Sequence, residues 1–186
     1  MRRMEAVKRR VSFADLQRMP DDGNRYELYD GDLRVVPSPL PRHQIVSARL
    51  FEAFLDHRRR HGGHVFHPPF DLVLSDYDVV QPDLLYFGAE TAARINPDEY
   101  VRFPPDLGVE ILSASTASVD RGRKRDLLAR HGLREYWVVD PVAHRIEVSV
   151  LGADGYGPAR IVAGGFLASV AIAGLTIDLA MIFDGL

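Results

Sequence analysis

Apolar and polar positions change period several times along the chain, and the changes mark out its elements. "SFADLQRMP" (12–20) predicts a short helix, with Ser12 as its cap and Pro20 after its end. "RYELYDGDLRVVPSP" (25–39) predicts a hairpin, because β-type positions flank the turn dipeptide Asp30-Gly31. Over 41–60, Ile45, Val46, Leu50 and Phe54 fall at helical spacing, and Gly62-Gly63 ends the run. "HVFHPPFDLVLS" (64–75) predicts one or two strands, and "DVVQPDLLYFG" (78–88) one more, with Pro82 near its start. Residues 89–103 are polar and irregular, a candidate mobile loop.

"DLGVEILS" (106–113) is a buried strand by composition, and "SVDRGRKRDLLARHG" (118–132) a helix closed by Gly132. "REYWVVDP" (134–141) is a second buried strand, "HRIEVSVLG" (144–152) alternates as a half-exposed one, and further hairpins follow. The order is helix, three strands, helix, strand, with extra strands on both sides. It predicts an α/β (α+β) mixed sheet flanked by helices, in one domain over 1–186, with 1–20 an N-terminal arm and short helix.

Composition changes this picture little. Of 186 residues, 46% are hydrophobic and 26% charged, as in an ordinary globular domain. A net charge of -3 gives no overall nucleic-acid signal, but basic blocks stand at 1–10, 57–61 and 121–125. The absence of cysteine excludes disulfides, thiolate catalysis and cysteine-ligated zinc. With no secretory apolar stretch near the N-terminus, it fits a cytoplasmic protein. The apolar C-terminal segment carries Asp178, costly at a bilayer centre, so it reads as a strand followed by a short helix capped by Asp178. No membrane partner is expected.

Three residues break the local pattern. Asp83 opens "LLYF", Glu110 interrupts "LGVEIL", and Lys124 lies on the following helix. A lone carboxylate in an apolar strand is costly without a partner. Lys124 shares a helical face with Asp120, Leu127, Leu128 and His131, so it aims at the sheet with the two leucines. Asp83 and Glu110 come from successive strands, which are often neighbours. Two converging carboxylates suit Mg²⁺ (or Mn²⁺), which takes one or two of them plus water and phosphate oxygens. A lysine beside them can orient water and stabilise phosphate charge. The plainer alternative is a buried Lys124–Glu110 ion pair without catalysis.

"VQPDLLYF", "DLGVEILSAST" and "DRGRKRDLLARHGLREYWVVDP", in that order, resemble the Uma-two family of the PD-(D/E)XK restriction-endonuclease-like superfamily. "RYELYDGDL" and "SPLPRHQIV" resemble its upstream motifs, so the likeness runs from about Arg25 to the C-terminal helix. The resemblance implies a restriction-endonuclease-like core and a divalent-metal nuclease site. Asp83 matches the motif aspartate and Glu110 the first acid of the (D/E)XK element, together the expected metal ligands. Leu112 stands where the simplest pattern has its lysine, and Lys124 matches the family's lysine on the next helix. Leu128 replaces a tyrosine frequent there, a packing difference. Glu27 matches the upstream glutamate and His43 the histidine before the long helix, two lesser candidates for metal, water or phosphate contact.

His57, His61, His64 and His67 are a rival metal cluster, but Gly62-Gly63 interrupts their helix and no acid completes the set. Tyr136 and Trp137 lie in an apolar strand and read as core. The leading function is a Mg²⁺-dependent endonuclease acting on nucleic acid, DNA foremost, with the basic helical blocks along the duplex and binding that weakens steeply with salt. The alternative is a non-catalytic nucleic-acid-binding or protein-interaction module on the same fold. A double-strand cut needs two sites, which favours a homodimer; solution scattering showing a clean monomer at micromolar concentration would count against it.

Overall fold

A computed structural model describes residues 10–186. The basic block at 1–10 lies outside the described residues except for Arg10, as does most of the N-terminal arm.

Helix α1 (Phe13–Leu16) begins at Ser12, whose hydroxyl accepts from Asp15 N while the Asp15 carboxylate accepts from Ser12 N. Strands β1 (Arg25–Tyr29) and β2 (Asp32–Val36) form the expected hairpin. Asp30 and Gly31 both have positive φ, 52° and 78°, the pair that a tight two-residue hairpin turn demands. Helix α2 (Pro41–His61) buries Val46, Leu50, Phe54 and His57 along one face. Next come β3 (His64–Phe66), β4 (Leu72–Ser75), β5 (Asp78–Val80) and β6 (Leu84–Phe87). The one-turn helix α3 (Ala89–Ala92) leads into an irregular stretch. That stretch is docked, since Val101 is buried and its carbonyl accepts from Val73 N at 3.0 Å.

Strand β7 (Leu107–Ile111) precedes a helix in three parts: α4 (Ala117–Val119), a π turn (Asp120–Lys124) and α5 (Arg125–Arg130). Strands β8 (Glu135–Asp140) and β9 (Arg145–Gly152) follow, then the short β10 (Gly155–Tyr156), β11 (Arg160–Val162), β12 (Phe166–Ala168) and β13 (Thr176–Asp178). Helix α6 (Leu179–Phe183) is capped by the Asp178 side chain, which accepts from Ala180 N. No helix among the described residues is long and apolar enough to cross a membrane.

The strands make a four-stranded sheet, β2-β1-β5-β4, and a larger one, β10-β9-β8-β7-β6-β3, with β11 on β9. β12 and β13 pair separately. In the larger sheet β6 runs antiparallel to β7, and β7 parallel to β8 across the three-part helix. This is the expected mixed α/β sheet with added terminal hairpins.

One expectation needs correction. The run 78–88 is two strands, not one: β5 belongs to the smaller sheet and β6 to the larger. Pro82 explains the break, because it has no N–H for a sheet ladder. The chain crosses between sheets at Gln81, Pro82 and Asp83.

The larger sheet is covered on both faces, and its two-residue period sorts side chains between them. Leu107, Val109 and Ile111 pack with α2 and the C-terminal segment, as do Leu84, Tyr86, Trp137 and Val139. Leu85, Phe87, Tyr136 and Val138 pack on the opposite side with Leu127 and Leu128 of α5. Glu110, between Val109 and Ile111, therefore points at the three-part helix. Tyr136 and Trp137 are fully buried, as expected of core, and Leu128 fills its site with no exposure.

Candidate active site

Asp83 stands one residue before β6. The β6–β7 register pairs Leu84 with Val109, and one further step sets Asp83 opposite Glu110. Asp83 alternates with Leu85 and Phe87, so both acids lie on the face toward the three-part helix. Its Oδ2 accepts from Ile111 N at 2.8 Å and lies 3.0 Å from His43 Nε2. His43, in the first turn of α2, thereby fixes the Asp83 carboxylate, and its own Nδ1 is buried without a partner.

Lys124 reaches in from the π turn. Its Nζ lies 2.5 Å from Glu110 Oε1 and donates to Glu27 Oε1 at 2.8 Å. The Glu110 contact is an ion pair outside hydrogen-bonding geometry, since Glu110 Oε1 has no hydrogen-bond partner. Glu27 is buried and is held from three directions. Besides Lys124, Tyr29 OH donates to its Oε2 at 2.7 Å and Gln81 N to its Oε1 at 2.7 Å. Asp83, Glu110, Lys124, Glu27 and His43 all line one cavity of about 430 Å³, at the junction of the two sheets.

Asp120 also lines this cavity, and sequence reasoning placed it on the right face without nominating it. It is 3% exposed, and its Oδ2 has no hydrogen-bond partner. The signal was present in the sequence: an acid one turn before an inward-facing lysine must itself face inward. The π turn keeps both side chains inside, and such turns recur at functional sites.

Charge in the cavity is unbalanced. Among the buried groups three carboxylates, of Glu27, Glu110 and Asp120, with the half-buried Asp83 beside them, face one lysine, while Arg25 and Arg34 line the cavity nearer solvent. Burial, reinforced by the charges of Asp83, Asp120 and Glu27, holds the Glu110 carboxyl well above the usual range against the pull of Lys124. Burial likewise opposes ionisation of Glu27, but Lys124 and the three hydrogen bonds bring it below its ordinary value. Burial disfavours charge on Lys124 too, and the carboxylates of Glu110 and Glu27 reverse this and hold it well above its ordinary value. Lys124 is thus a fixed cation and hydrogen-bond donor, not a base.

Asp120 is pushed up to about 6, chiefly by burial. An acid whose folded-state value exceeds its unfolded value of about 3.9 binds more protons when folded. Its contribution to stability is intact below about pH 4 and lost as pH rises through 6. Asp120→Asn should therefore stabilise the metal-free protein by about 2 kcal/mol at pH 8 and hardly at all at pH 4. Urea denaturation in EDTA at both pH values checks this. Equal stability of the two proteins at pH 8 would refute it.

The donor set fits a divalent cation. Buried oxygens on Glu110 and Asp120 that accept no hydrogen bond, and a surplus of buried carboxylates over lysine, are what such an ion would relieve. Among the described residues no three metal-ligating side chains converge on one point. A divalent cation held here would take one or two carboxylates and its other oxygens from water and phosphate.

Lys124 apart, the basic blocks at 57–61 and 121–125 do not line this cavity. Arg121 pairs with Asp140 and Glu147, Arg123 with Asp32 and the Tyr29 carbonyl, and Arg125 with Ser149 and the Gly157 carbonyl. The 57–61 block sits roughly 24 Å along α2 from His43, at a rise of about 1.5 Å per residue. Of the four histidines, His57 is buried between Tyr86 OH and the Ala173 carbonyl, stacked on His61.

The model of the Uma2 family, described as "Putative restriction endonuclease", matches residues 13–180. No curated protein gives a match. Among solved structures, the chain resembles a "putative nuclease belonging to DUF820" from Anabaena variabilis ATCC 29413, with a TM-score of 0.78 at 15% identity. The alignment covers 93% of this chain and 97% of that one. At that identity the likeness carries the fold alone.

Proposed function

Because the chain belongs to the Uma2 family of restriction-endonuclease-like nucleases, we propose that it is a divalent-metal-dependent endonuclease hydrolysing phosphodiester bonds, with DNA as its substrate and the cavity between the sheets as its active site. The observation that supports this most is the buried surplus of carboxylates around one lysine. A purely structural ion pair would balance its charges, and this cluster does not.

Asp83 and Glu110 would hold Mg²⁺ or Mn²⁺. When bound, such an ion supplies Lewis-acid stabilisation of phosphoryl oxygens and of the leaving 3′ oxygen. Lys124 has three N–H groups: Glu27 accepts from one, and the Glu110 ion pair occupies the side of another. The third serves water or a phosphate oxygen, orienting the nucleophile for in-line attack. Glu27 is a positioning residue in this scheme: its bonds to Tyr29 and Gln81 fix the point from which Lys124 acts. His43 orients Asp83 in the same way. Both sheets contribute, so residues 13–180 act as one unit.

Purified protein is expected to nick plasmid DNA with Mg²⁺ or Mn²⁺ and to stop on EDTA addition. With most helical arginines engaged internally, binding should weaken with salt less steeply than the basic blocks suggest. Gel assays across metals and ionic strengths test both points. No cleavage of any nucleic acid with either metal would sink the reading.

A further inference from the structure

A second cavity, of about 610 Å³, adjoins the first. Arg25, Pro39, His43 and Asp83 line both, so the two volumes meet at the His43–Asp83 pair. Each lies within the range of small-ligand sites, roughly 300–1,000 Å³. The second runs along the first half of α2 and differs in chemistry from the first. It is bounded by Gln44, Ser47 and the Phe51–His67 ring pair, whose centroids are 4.9 Å apart.

Arg25 is the telling residue. Many arginines here have an internal partner, but among the described residues no hydrogen bond or ion pair holds the Arg25 side chain. It is half-buried at the seam between the cavities, with a guanidinium suited to a phosphate oxygen. An aromatic pair, a hydroxyl and an amide beyond it are the groups with which proteins hold an unstacked base. Asp21, at the rim, adds an acceptor for an exocyclic amino group.

We infer that the second cavity is a nucleotide pocket: Arg25 holds the phosphate next to the scissile one, and the adjoining base, out of its stack, lies against Phe51 and His67. The inference rests on the nuclease reading above. The substrate it selects is a nucleic acid with an unstacked nucleotide beside the cut, so single strands, mismatches and flaps are cut faster than a perfect duplex. Extruding a base costs least where it is already unpaired.

The test uses a single-stranded oligodeoxynucleotide carrying a fluorescent adenine analogue, titrated in EDTA so that nothing is cut. Wild-type protein should quench the analogue. Arg25→Gln and His67→Ala should each bind roughly ten-fold more weakly. His67 is exposed, so its truncation leaves the fold intact, and Phe51→Leu tests the ring without opening the core. Cleavage of a mismatched duplex with Mg²⁺ should exceed that of a perfect one in wild type, and the preference should shrink in both variants. Unchanged binding in Arg25→Gln and His67→Ala overturns the pocket, and leaves the nuclease reading standing if wild type still cuts. Quenching that both variants weaken, without cleavage of any substrate, supports the pocket and overturns the nuclease reading instead.

Discussion

Asp83→Asn should lower metal-dependent cleavage by roughly 10³-fold or more and leave the fold in place. Asparagine keeps an oxygen that can accept from Ile111 N and from His43 Nε2, the two bonds Asp83 makes. Stability should therefore change by less than about 1 kcal/mol. What is lost is one negative charge from the pair that would hold the cation. Lewis-acid stabilisation is worth several kcal/mol, and about 1.4 kcal/mol is a factor of ten in rate. Nicking rates at saturating Mn²⁺, with calorimetric titration of Mn²⁺ into both proteins, measure the two effects together. Weakened Mn²⁺ binding and lost cleavage must appear in the same variant. A variant that binds Mn²⁺ as wild type does and cuts as fast would remove Asp83 from the site.

The second large effect concerns Lys124. It is 3% exposed, between Glu27 and Glu110, so Lys124→Met strands two buried carboxylates with no cation. Breaking a buried pair this way costs about 3–5 kcal/mol. Adding Glu110→Gln removes one stranded charge and should recover roughly 1–3 kcal/mol. Activity should stay lost in the single and the double variant alike. Urea denaturation of the four proteins of the cycle gives the coupling energy, and nicking assays the function. A double variant that is both stable and active would make the trio a structural ion pair. Recovery of stability without activity is the pattern of a site kept at a cost to the fold.

Much of this was legible in the sequence, for local reasons. Asp30-Gly31 encodes its own turn, α2 displays its buried face through Val46, Leu50 and Phe54, and Asp178 caps the last helix as its position suggests. Glu110 was conspicuous because a charge among apolar strand residues has few explanations. Helical spacing alone aimed Lys124 at it. What stayed hidden depends on partners distant in sequence. Nothing near Pro82 says that the strands on either side join different sheets, because that is decided by the pairing of Leu28 with Val79. Glu27 was nominated by its match to the family's upstream glutamate, but nothing local says that Lys124, 97 residues on, would pair with it. The block at 121–125 looked like a nucleic-acid surface because its acidic partners, Asp32, Asp140 and Glu147, lie elsewhere along the chain.

The distance along the chain between Glu27 and Lys124 has a consequence for synthesis. The two are 97 residues apart, and Glu27, Asp83 and Glu110 all leave the ribosome before Lys124 does. Contacts of such separation form late, because closing the chain must precede any gain from them. A partly made chain therefore carries these acids before it has the lysine that pairs with Glu27 and Glu110. The proposed cutting centre is complete only once the three-part helix has docked against both sheets. On the proposed function, a chain ending before Lys124 holds the acids without their lysine and should not cleave nucleic acid.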